Sequence, residues 1–99
     1  MEIEFENDDL AEIYQGGRIP KGFQPSIVKA FLKTIRKLET ARNIEELYQI
    51  HSLNYEALSG NKKGFFSVRV NDQYRLEFKH RSDGTVIIIT IYELSNHYR

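Results

Sequence analysis

Arg69 and Arg75 are the side chains best placed in this sequence for chemistry on an anion. They flank a short turn, Asn71-Asp72-Gln73, and sit out of phase with the apolar Val68, Val70, Tyr74 and Leu76. In a hairpin, a period of two puts both on the sheet face away from that apolar set and near each other across the strand pair. Two guanidiniums on one face repel, and a phosphate that takes their N–H forks relieves the repulsion. The alternative is two separate surface arginines, each answering an acid such as Glu77 or Glu93. Lys62 and Lys63 stand in a turn bounded by Gly60 and Gly64, a flexible place from which to reach phosphate oxygens, although lysines in such turns are ordinarily just solvated. Proton transfer needs a group that titrates near neutrality, and His97 with Tyr98 are the candidates at the C-terminal end. The other reading of that tail is a disordered end.

Phe66 takes the inward parity of its strand, so Phe65 faces out beside Lys63 and can stack on a base. Lys33 and Lys37, with Lys29 and Arg36, form the basic side of an amphipathic helix, which serves either as a salt-dependent polyanion surface or as a solvated face. His51, His80 and His97 have no short metal-ligand spacing and no cysteine to help them, so no metal and no cofactor is expected. No glycine-rich phosphate loop leads from a strand into a helix, and no Ser/His/Asp arrangement is suggested.

These residues need elements to hold them. Ile3 and Phe5 alternate with glutamates, giving a short strand. Asn7 or Asp8 caps a first helix carrying Leu10, Ile13 and Tyr14, stopped by Gly16-Gly17. Pro25 or Ser26 opens a second helix whose Ile27, Val28, Phe31, Leu32, Ile35 and Leu38 make one apolar stripe. Asn43 and Glu46 resemble a capping box for a short helical turn through Leu47 and Tyr48. From Ser52 on the pattern is β: Leu53, Tyr55 and Ala57; then Phe66, Val68 and Val70; then Tyr74, Leu76 and Phe78; then Thr85 to Tyr92, a Val- and Ile-rich run expected to be buried on both faces. The tail from Leu94 shows no period. The fold class expected is α+β: two N-terminal helices packed on one face of a mainly antiparallel four- to five-stranded sheet, in a single domain over residues 1–99.

Composition bounds the rest. The chain has 99 residues, 40% hydrophobic and 28% charged, too apolar for disorder and too short for two independent cores. Without cysteine there is no disulfide framework. The acidic start MEIEFENDD does not resemble a secretion signal, and no apolar run approaches the ~18 residues of a membrane span, so a cytoplasmic protein with no membrane partner is expected. Zero net charge conceals a split: residues 1–12 carry six acids and no base, and the remaining 87 residues hold 14 bases and 8 acids. A basic face beside an acidic edge can still bind nucleic acid.

Three stretches together resemble a known family: Gly17-Arg18-Ile19-Pro20 before the basic helix, Leu58-Ser59-Gly60-Asn61-Lys62-Lys63-Gly64, and Ser67 through Phe78 (SVRVNDQYRLEF). They are similar to the HigB (proteic killer suppression) toxins of the RelE/ParE superfamily, collinearly from about residue 17 to the C-terminus. The resemblance implies a RelE-like fold and a ribosome-dependent endoribonuclease that cuts mRNA during translation. It implies a cognate helix-turn-helix antitoxin of the HigA type, through which the complex binds operator DNA. It assigns phosphate binding to Arg75 and Arg69, RNA contacts to Lys62, Lys63 and Phe65, and ribosomal RNA docking to Lys33 and Lys37. Many members end in aspartate-tyrosine-histidine, a role that His97 or Tyr98 takes here.

The chain also departs from the pattern. A histidine common after the leucine of the strand before the lysine turn is Asn54 or Glu56 here, and a lysine common just before the turn's glycine is Ser59. Asn54 can position a phosphate but cannot act as a base; Glu56 and Glu93 are the remaining carboxylates for that task. Two other readings stay open: a ParE-like inhibitor of DNA gyrase that does no chemistry, and an inactive antitoxin-binding corepressor.

Overall fold

A computed structural model describes residues 1–96; His97, Tyr98 and Arg99 lie outside the described residues. Five strands form one sheet: β1 (Glu2–Phe5), β2 (Glu56–Ala57), β3 (Phe66–Arg69), β4 (Tyr74–Asp83) and β5 (Val86–Asn96), ordered β1-β5-β4-β3-β2. Three helices, α1 (Asp8–Tyr14), α2 (Pro25–Thr40) and α3 (Ile44–Gln49), accompany it.

Local signals set most boundaries. Asn7 Oδ1 accepts the Leu10 N–H at 3.1 Å and starts α1. Pro25 stands in the first turn of α2, where its missing N–H costs nothing. Asn43 Oδ1 accepts from Glu46 N at 3.0 Å, while the Glu46 carboxylate reaches back to Arg42 N and Nε rather than to the capping residue itself. That supports a full helix α3 where the sequence suggested a turn. Phe31, Ile35 and Leu38 of α2 bury against Leu76 and Phe78 of β4 and Ile89 and Ile91 of β5, so the helices cover one face of the sheet. The other face is open.

The sheet is mainly antiparallel as expected, with one parallel ladder, β1 to β5, Glu2↔Ile88 through Phe5↔Ile91. Two departures from the expected elements have physical causes. The strand expected around Leu53, Tyr55 and Ala57 is a 3₁₀ turn, His51–Leu53, then a two-residue strand. Leu53 and Tyr55 are both buried in the core, and Asn54 between them turns the chain with φ 44°, so their alternation arose from a bend instead of a ladder. The second is that β5 continues past Tyr92 to Asn96. Its register with β4 slips at Glu77/Phe78: Glu77 faces Glu93, and Phe78 faces Ile91. This bulge leaves Tyr92 as an extra residue, reverses the parity of the strand, and returns Leu94 to the core side. The tail loses its period because of that insertion. Of the run Thr85 to Tyr92 expected to be buried on both faces, Ile88 to Ile91 are buried, whereas Thr85 and Val86 at the hairpin end are exposed. Among the described residues, no helix is long and apolar enough to cross a membrane.

Candidate functional site

The open face is organised in rows that run across the strands. Arg69, Arg75 and Ser95 face one another in the first row, through the pairs Arg69↔Arg75 and Arg75↔Ser95. Glu56, Ser67, Glu77 and Glu93 form the second. Lys79, Thr90 and Glu4 form the third. The first row is basic and the second acidic, and Arg75 of the first lies 3.7 Å from Glu56 of the second.

Arg75 is the centre of this arrangement. Its guanidinium is buried across the sheet surface: Nε donates to Ser67 Oγ at 2.9 Å, and Nη2 donates to the Asn54 carbonyl at 2.6 Å and the Ser67 carbonyl at 3.3 Å. Glu56 Oε1 lies 3.7 Å from the same Nη2. Among the described residues no hydrogen bond ends on Nη1, which leaves one edge of the fork available. Burial pulls the Arg75 pKa below the ordinary arginine value; Glu56 and Glu77 oppose that and Arg69 adds to it. The group stays cationic in any case, because a guanidinium does not deprotonate in proteins. Arg69 is directly opposite, as the period predicted, but its own Nη2 is held by Asp72 of the turn.

Lys62 reaches from the 3₁₀ turn Gly60–Lys62 down onto the second row. Its ammonium donates to both oxygens of Glu77, at 2.8 and 3.1 Å, and lies 4.0 Å from Glu93. The hydrogen bond to Glu77 raises the Lys62 pKa. Lys63 is exposed in the same loop. Phe65 does face outward as the sequence suggests, yet it is half-buried: its ring meets Tyr92 edge-on at 4.9 Å between centroids, with Lys79 Nζ 4.6 Å above it.

Lys33 and Lys37 are elsewhere. They line a groove of about 420 Å³ between α2 and the segment around Ala41, Glu46 and Ile50, with Lys37 Nζ donating to Ser52 Oγ at 3.0 Å. The groove is lined by α2 and the segment after it, not by the open sheet face, and it meets the Arg75 surroundings only through the Ser52–Asn54 segment. Glu4 shares the face of the arginines, at the opposite sheet edge, where it accepts from Arg81 Nη1 at 2.7 Å and from Thr90 Oγ1 at 2.9 Å. His97 and Tyr98 fall outside the described residues.

Sequence reasoning missed Ser67, Tyr92 and Lys79 and treated Glu77 only as a neutralising acid. Ser67 and Lys79 share the outward parity of Arg69 and Arg75, so period two could have found them. Tyr92 keeps the outward parity of Thr90 but stood in a run expected to be buried on both faces; the bulge is what turns Glu93 outward as well.

A small α+β unit with helices on one face of a five-stranded mixed sheet matches the fold of RelE-type toxins. The YoeB/ParE toxin from Agrobacterium tumefaciens superposes with a TM-score of 0.59 at 17% identity, covering 99% of this chain and 100% of that one. YoeB in a YoeB–YefM complex from Staphylococcus aureus superposes with a TM-score of 0.53 at 21% identity, covering 99% and 98%. Toxin HigB-1 of Vibrio cholerae serotype O1 is 33% identical over 79 residues, 80% of this chain and 83% of that protein. An uncharacterized protein of Haemophilus influenzae is 27% identical over 79 residues, 80% of this chain and 78% of that protein. The family model for the RelE-like toxin of type II toxin–antitoxin system HigB matches residues 3–94. The chain belongs to this HigB-like toxin family: it is a type II toxin–antitoxin toxin.

Proposed function

We propose that this toxin is a ribosome-dependent endoribonuclease that cuts mRNA without a metal ion, with the open sheet face as its active surface. The observation that carries the reading is the Nη1 edge of Arg75, unshared among the described residues, in a guanidinium held by Ser67 and Asn54 and facing Arg69 across the ladder. Cleavage of this kind takes the proton from a ribose 2′-hydroxyl, forms a bond from that oxygen to phosphorus, and releases the 5′-oxygen, which picks up a proton. Charge grows on the phosphoryl oxygens in between, and a fixed guanidinium edge is suited to it. Arg75 and Arg69 bind those oxygens in this reading. Lys62, Lys63 and Phe65 contact the RNA strand on either side.

His97 and Tyr98 remain the proton-transfer candidates. Ser95 and Asn96, the last described residues, pair with Arg75 and Tyr74. The basic groove with Lys33 and Lys37 supplies salt-dependent docking to ribosomal RNA. A helix-turn-helix antitoxin of the HigA type neutralises the toxin in the cytoplasm, and the complex binds operator DNA through the antitoxin. Antitoxin control is supported by the family and by the YoeB–YefM complex of S. aureus, where a related toxin fold is seen with its partner.

The test is induced expression with and without the antitoxin gene, followed by mapping of mRNA 5′ ends. Cuts inside reading frames that vanish when translation is blocked, and that disappear in Arg75→Lys, are the expected result. Arrest with DNA damage and no cuts would replace this reading with gyrase inhibition. No arrest at all would leave an inactive, antitoxin-binding corepressor.

A further inference from the structure

The β5 bulge turns two consecutive side chains, Tyr92 and Glu93, to the open face opposite Glu77. Tyr92 meets Phe65 at an interplanar angle of 82°, so the two rings form a corner. Lys79, exposed on the next row, places Nζ 4.6 Å from the Phe65 centroid and 5.5 Å from that of Tyr92. Glu93 is exposed, and its ion-pair partner Lys62 is 4.0 Å away and already donates to Glu77. Two half-buried rings thus meet at a corner with one cation over it and a loosely paired carboxylate next to Tyr92 in the chain.

We infer that Phe65, Tyr92, Lys79 and Glu93 form a base-reading subsite for guanine, one row from the arginines. The inference deepens the proposed nuclease reading and rests on it. A ring corner supplies stacking for any base, because every base has a π face. The rim selects among them. The Watson–Crick edge of guanine presents one acceptor, O6, beside two donors, N1–H and N2–H. A carboxylate takes both donors at once and an ammonium meets O6, which matches Glu93 and Lys79. Adenine offers N6–H beside the acceptor N1, so the carboxylate would face a lone pair. Cytosine offers a single donor, N4–H. Lys79 sits over the rings when no base is there, and its flexible stem allows it to move to the rim.

Two measurements separate this inference from the nuclease reading. The first is titration of the purified protein with 5′-GMP and 5′-AMP, followed by NMR of the aromatic resonances. GMP is expected to shift the Phe65 and Tyr92 signals and to bind about tenfold more tightly than AMP, in line with one bidentate contact. Glu93→Gln is expected to bring the two nucleotides within about twofold of each other. Tyr92→Phe should keep GMP binding, and Tyr92→Ala should weaken it for both nucleotides. The second is 5′-end mapping, where the wild type should show guanine enriched at one fixed position from the cut, and Glu93→Gln should lose that enrichment. Equal GMP and AMP affinity in the wild type, or GMP preference undiminished in Glu93→Gln, overturns the subsite. Absence of cuts with guanine-selective binding intact would overturn the nuclease reading alone.

Discussion

The ammonium of Lys62 donates to both carboxylate oxygens of Glu77, joining the tip of the glycine-bounded turn to the middle strand of the sheet. The pair is lopsided: the Glu77 side chain is 9% exposed and that of Lys62 45%. Removing Lys62 strands a buried charge, whereas removing the charge on Glu77 merely returns Lys62 to water. Lys62→Met should therefore cost about 1–3 kcal/mol in urea unfolding, and Glu77→Gln less than about 1 kcal/mol. Equal losses would contradict the asymmetry.

Arg75 has a structural task as well as a chemical one. Truncation to alanine leaves Ser67 Oγ and the Asn54 carbonyl without their donor and Glu56 without its nearest cation, and should cost about 2–4 kcal/mol. Arg75→Ala is thus a poor probe of activity, since lost toxicity could follow from lost fold. Arg75→Lys keeps the charge and removes the fork. It should retain most of the stability, read by thermal unfolding, and abolish growth arrest.

Asn54 matters through its backbone. With φ at 44° it occupies the left-handed region, which asparagine tolerates and β-branched residues do not. Asn54→Gly should stay within about 0.5 kcal/mol of wild type, and Asn54→Val should lose about 1–2 kcal/mol together with toxicity, because the carbonyl that holds Arg75 moves. Wild-type toxicity in a folded Asn54→Val variant would separate this turn from the site.

His80 gives the fold a pH dependence. Its ring packs 4.5 Å from that of Phe66, its Nε2 is 3.3 Å from the Tyr55 hydroxyl, and burial lowers its pKa below the ordinary 6.5. The same burial pushes the Tyr55 hydroxyl up to about 12, so it stays protonated throughout. A lowered folded-state pKa means that the unfolded chain binds the proton first. Stability is complete above pH 6.5 and falls as the pH drops from there through the folded value. Thermal midpoints should decline from about pH 7 downward, and His80→Phe should flatten that part of the curve. Glu4, held low by its hydrogen bonds to Arg81 and Thr90, adds a second decline in the acid range, below its ordinary 4.5.

Much of this was legible in the chain because local rules determine it. The caps at Asn7 and Asn43, the proline start of α2, the outward parity of Arg69, Arg75 and Phe65, and the inward parity of Phe66 follow from hydrogen bonding within a turn and from the two-residue period of a strand. The family resemblance rests on the same segments, Gly60 to Gly64 and Ser67 to Phe78. What pairs with what was not local. Nothing in residues 2–5 shows that β1 joins β5 in parallel, since that depends on how α1 and α2 carry the chain across the sheet.

The sequence by itself determined four of the strands in outline, the first two helices and the face on which the two arginines lie. Tertiary structure decided which charges are already answered: Lys62 by Glu77, Arg69 by Asp72, and Arg75 on all but one edge. It also turned Glu93 to the open face beside Tyr92 through a single extra residue in β5, and placed Lys33 and Lys37 on a groove beside α2 rather than on that face. The physical reason is range. A residue's parity and a helix cap are set by neighbours a few positions away, but the partner of a charge is set by strand register, and register is a property of the assembled sheet.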